Sequence, residues 1–82
     1  MPLFMDVHTV DAIDPEVLAN AHERDLEVQE KYGARYLRYW FSPDAGRVFC
    51  LVEAPDAEAA TSVHREAHGL VADEVVEVTE GR

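Results

Sequence analysis

The chain opens on a run, Leu3 to Thr9, in which Leu3, Met5 and Val7 alternate with Phe4, Asp6 and His8. A period of two marks an extended strand, because successive side chains leave opposite faces of the pleat. Asp14-Pro15-Glu16 then supplies a capping carboxylate, a proline at the first helical position and an acid in the first turn. Together these start a helix, which the spacing carries to about Tyr32 before Gly33 stops it. Arg35 to Ser42 is too aromatic and too short for another helix and is predicted as a strand, followed by the turn Pro43-Asp44-Ala45-Gly46 and a returning strand from Arg47 to Glu53. Ala54-Pro55-Asp56 breaks that strand and caps a second helix, in which Ala59, Ala60, Val63 and Ala67 form the buried stripe and Gly69 marks the end. Alternation returns between Glu74 and Thr79, a fourth strand.

The order βαββαβ predicts an α+β, ferredoxin-like fold: one domain over residues 1–82, with a four-stranded antiparallel sheet and two helices on one face. The other face is left open. With Leu3, Met5 and Val7 turned toward the helices, Phe4, Asp6 and His8 are expected on the open face beside Tyr36, Arg38, Trp40, Phe49, Leu51 and Glu53. Phe4, Trp40, Phe49 and Leu51 would then make a wet apolar patch, which back-to-back pairing of two copies would bury. A domain this short buries only about 60% of its unfolded surface, which is a second reason to expect a homodimer.

Composition narrows the partners. Seventeen Asp and Glu against seven Lys and Arg give a net charge of −10, a field that repels nucleic acid and anionic membrane and attracts cations. No apolar run approaches the roughly 18 residues of a membrane span, and the start lacks the basic and apolar stretches of a signal peptide, so a cytoplasmic protein is expected. The single cysteine, Cys50, excludes an intramolecular disulfide framework and a cysteine-rich zinc site. Strand alternation turns it toward the helices with Val48 and Val52, where it is expected to behave as a small hydrophobe.

The four histidines carry the candidate chemistry, since imidazole binds borderline transition metals and titrates near neutrality. His64 and His68 stand four apart in the second helix, so both rings leave the same side one turn apart and can share a metal ion, His64 nearer the core. Such a pair needs further donors from His8, His22 or carboxylates. His22 shares an arc of the first helix with Asp25 and Gln29; either the three form a hydrogen-bonded cluster, or Asp25 orients a ligating His22. His8 points the same way as Asp6. A different chemistry is also conceivable on the open face, where Asp6, His8, Arg38 and Glu53 around Trp40 would form the acid/base pocket of a dimeric α+β barrel enzyme. No phosphate-binding loop and no nucleophile motif is present.

Three segments, Arg35-Tyr-Leu-Arg38, Cys50-Leu-Val-Glu53-Ala-Pro-Asp56 and His64-Arg-Glu-Ala-His68-Gly, together with the opening Met1-Pro-Leu-Phe-Met-Asp-Val-His8, resemble a family of small ferredoxin-like proteins that has a nickel-binding member. The resemblance runs along essentially the whole chain. It implies a homodimer that binds nickel(II), for sequestration or detoxification, and the absence of a nucleophile or cofactor motif points to a non-enzymatic role. Nickel(II) accepts imidazole nitrogen and carboxylate oxygen, which agrees in kind with the histidines singled out above.

Overall fold

The computed structural model describes residues 1–81. Strand β1 (Leu3–Thr9) leads into helix α1 (Pro15–Val28), which tightens into a 3-10 turn over Gln29–Tyr32. Strands β2 (Arg35–Ser42) and β3 (Arg47–Glu53), helix α2 (Ala57–Ala67) and strand β4 (Glu74–Val78) complete the βαββαβ order. The four strands form one sheet in the order β2-β3-β1-β4, every neighbouring pair antiparallel. This is the ferredoxin-like arrangement.

The local signals act as expected. Asp14 accepts a hydrogen bond from the Glu16 amide at 3.0 Å and Asp56 one from the Ala59 amide at 2.8 Å, each satisfying a donor that the first helical turn leaves free. The first helical path ends at Gly33, whose φ of 67° lies in the left-handed region that glycine adopts without strain. Gly46 closes the β2–β3 hairpin with φ of 65°, and a Cβ there would meet the Val10 carbonyl oxygen at 2.9 Å.

Burial gives β1 the opposite phase from the one expected. Phe4 and Asp6 are buried, and they stand level with Val52 and Cys50 of β3, so Phe4, Asp6 and His8 face the helices and Leu3, Met5 and Val7 face away. Tyr36 is a second reversal: it is buried level with Val52. Between Tyr36 and Arg38 the register slips by one residue at Leu37, a β-bulge that breaks strict alternation. Beyond it Tyr39 pairs with Cys50 on the helix side, while Arg38 and Trp40 pair with Leu51 and Phe49 on the open side. The core therefore lies between Phe4, Tyr36, Val48, Cys50 and Val52 of the sheet and Ala60 and Val63 of α2. Small residues at Ala60 and Ala67 let α2 approach the sheet closely.

Candidate metal centre

Polar side chains enter this core from four elements. Asp6 of β1 is 1% exposed. Tyr36 OH donates to Asp6 Oδ2 at 2.6 Å, and His8 Nε2 contacts Oδ1 of the same carboxylate at 3.1 Å. Across the sheet–helix gap, Asp25 is the sole buried residue of α1. Its Oδ1 accepts from His64 Nδ1 at 2.8 Å and from His68 Nε2 at 3.0 Å. The His64 ring, 2% exposed, stacks on Tyr36 at 4.6 Å and has His8 and His68 at 5.0 and 4.8 Å.

The two nitrogens of His64 are not equivalent. Nδ1 is engaged by Asp25, whereas Nε2 is buried with no hydrogen-bond partner among the described residues. It lies 3.0 Å from Asp6 Oδ2, close enough for charge attraction but without the alignment of a donor bond. The nitrogens of His68 are both committed, because Nδ1 accepts from the Leu70 amide at 3.1 Å while Nε2 faces Asp25. Leu70 follows Gly69, whose φ of 79° turns the chain back over the ring.

Electrostatics tie the group together. Burial alone would discharge His64, but the carboxylates of Asp25 and Asp6 outweigh it and push the imidazole up to about 11. Burial likewise works against the charge on Asp6 and Asp25, and contacts from His64, with His8 on one side and His68 on the other, hold both below the ordinary carboxylate range. Tyr36 is driven well above its usual value by burial and the adjacent Asp6, and burial pushes the Cys50 thiol up to about 11. Two carboxylates thus face one imidazolium, a concentration of buried acid that suits a cation.

Of the sequence candidates, His8, His64 and His68 come together here, with His64 deeper than His68 as expected. His22 lies outside the donor cluster: its ring rests on Tyr39 at 4.9 Å, on the wall of the same cavity. Asp25 bonds His64 and His68 rather than His22, and Gln29 instead accepts from the Tyr36 amide at 2.7 Å. The open-face acid/base pocket is not assembled, because Asp6 and His8 face the helices while Arg38 and Glu53 lie on the other side of the sheet. Two groups have donor atoms within 4.8 Å of one another: Asp6, His8, Cys50 and His64, and Asp25, His64 and His68. Cys50 and Tyr36 were not legible as members of a polar site. The cross-strand pairing of Cys50 with Asp6 is the signal that reveals Cys50, and it depends on the β1–β3 register.

A cavity of about 150 Å³ leads from the surface to this group, with Leu18, Ala21, Tyr39 and Leu70 among its apolar walls. No described helix is long and apolar enough to cross a membrane.

Comparison with known proteins agrees with the fold. The crystal structure of SCO4226 from Streptomyces coelicolor A3(2) matches with a TM-score of 0.89 and 38% sequence identity, over 98% of this chain and 99% of that one. None of the curated proteins matches. The family of the nickel responsive protein SCO4226, described by that responsiveness and not by a catalysed reaction, matches residues 4–78, and the chain belongs to it.

Proposed function

We propose that this protein binds nickel(II) through imidazole and carboxylate donors at the sheet–helix cavity and holds it, sequestering or detoxifying the metal without chemical turnover. The observation that carries the reading is the buried group of Asp6, His8, Cys50 and His64, which brings one possible donor atom of each within 4.8 Å of the others. Burying acids and an imidazolium this close together costs free energy, and a divalent ion taking the place of the His64 proton is a partner this donor set fits. Asp25, bonded to the opposite ring nitrogen, does what outer carboxylates do for ligating histidines: it fixes the tautomer and the ring orientation. His22 lines the way in. The family's nickel responsiveness supports nickel as the ion, although copper(II) would bind the same donors more tightly and zinc comparably. Preference in the cell then follows from metal supply and site geometry.

The working form is a homodimer. Trp40 and Val76, each nearly half exposed, share the open sheet face with Met5, Val7, Phe49 and Leu51, and a second copy would cover that surface. Calorimetric titration of nickel into wild type and His64→Ala at neutral pH tests the metal reading. His64→Ala is expected to bind at least about tenfold more weakly, a lower bound taken from losses of outer-sphere partners. Equal affinity in the two proteins would remove the buried cluster from the function.

A further inference from the structure

The geometry points to Cys50 as a thiolate ligand, in a single mixed site where Asp6, His8, Cys50 and His64 hold one transition-metal ion. This rests on the nickel-binding reading and gives that site a sulfur donor. One donor atom from each of the four side chains lies within 4.8 Å of the others. Four ligands placed about 2.0–2.3 Å from a common ion stand less than 4 Å apart, so small side-chain movements close the set. Register provides the frame. Asp6 and Cys50 are cross-strand partners on the helix side of the sheet, His8 follows Asp6 at the strand period, and α2 brings His64 down onto them.

A lone buried cysteine is ordinarily inert, and Cys50 gains its meaning from its neighbour. His64 belongs to the same donor group as the sulfur; its Nε2 is buried without a hydrogen bond 3.0 Å from Asp6 Oδ2, while its Nδ1 is tied to Asp25. The second possible group, Asp25 with His64 and His68, is the poorer site, because the Leu70 amide occupies one nitrogen of His68 and its other nitrogen faces Asp25. Binding forms metal bonds to the Cys50 sulfur and to His64 Nε2 as the thiol proton and the imidazolium proton pass to solvent, with no change of oxidation state. Two carboxylate or thiolate charges from Asp6 and Cys50 then offset a divalent ion, so its burial leaves no net charge among the four ligands and the metal.

The test is a titration of wild-type protein with nickel(II), and separately with cobalt(II), followed by near-ultraviolet absorption and by calorimetry. Thiolate ligation gives a sulfur-to-metal charge-transfer band that rises to one ion per chain at this site. Cys50→Ser is expected to lose the band and to bind at least about tenfold more weakly, with circular dichroism reporting whether it folds. Should the variant not fold, the band in wild type decides by itself. Nickel binding to wild type with no such band overturns the sulfur ligand and leaves the imidazole–carboxylate reading standing. No binding of either metal to folded wild type overturns both.

Discussion

The two faces of the sheet depart from the usual rule in opposite ways: the covered one adds a polar cluster to an apolar core, and the open one exposes large apolar side chains. The same strands turn Asp6, His8, Tyr36 and Cys50 toward the helices and Met5, Val7, Trp40 and Leu51 toward solvent. The covered face holds ionisable groups paired with one another, and the uncovered face holds exposed apolar side chains that a second copy would cover on the proposed reading. An interior of this kind is retained at a cost in stability, because burying paired charges is rarely better than burying hydrocarbon. On the proposed reading, the contrast gives the covered face to the site and the open face to assembly.

The largest effect is expected on the covered face. Asp6→Ala strips Tyr36 OH of its short bond and leaves the His64 imidazolium with one carboxylate instead of two. Breaking a buried charged network this way costs about 3–5 kcal/mol, measurable by urea denaturation of the metal-free protein. A loss below about 1 kcal/mol would mean that the cluster is held by its surroundings and not by its charges. On the open face, Trp40→Asp is expected to halve the mass seen by light scattering while the fold stays intact, since a charge would be forced into the subunit contact. An unchanged mass would take the open face out of the assembly.

The third effect is a slope with pH. His64 has its folded value raised above the unfolded 6.5 to about 11, so its stabilisation is complete below pH 6.5 and is lost as pH rises toward 11. Asp6 is shifted down from 3.8, so its contribution is complete above that value and is lost on acidification. Metal-free protein should accordingly be most stable in mildly acidic solution and weaken steadily from neutral to alkaline pH. Denaturation midpoints that rise between pH 7 and pH 9 would show that His64 is neutral in the folded state.

Element boundaries were legible because caps, glycines and periodicity are local: Asp14, Asp56, Gly33 and Gly69 act where the chain pattern places them. The His64–His68 pair was legible for the same reason, being set by one helical turn. The phase of β1 was not. Leu3, Met5 and Val7 make the more apolar face, and a hydrophobicity argument buries that face; the charged network that reverses the choice comes from α1 and α2, far along the chain. Asp25 was legible as an acid on a buried arc, but its partners lie on the other helix, where no spacing rule reaches.

The slip at Leu37 decides how wide the site can be. Residues three apart in an unbroken strand leave opposite faces, yet Tyr36 and Tyr39 both reach the helix side, one with its hydroxyl on Asp6 and the other against His22. Removing Leu37 would restore alternation and exchange the sides of every residue on one flank, sending either the tyrosine beneath the cluster or the tyrosine at the cavity wall into solvent. The extra residue is thus a spacer that converts one aromatic strand into both the floor and the wall of a chamber.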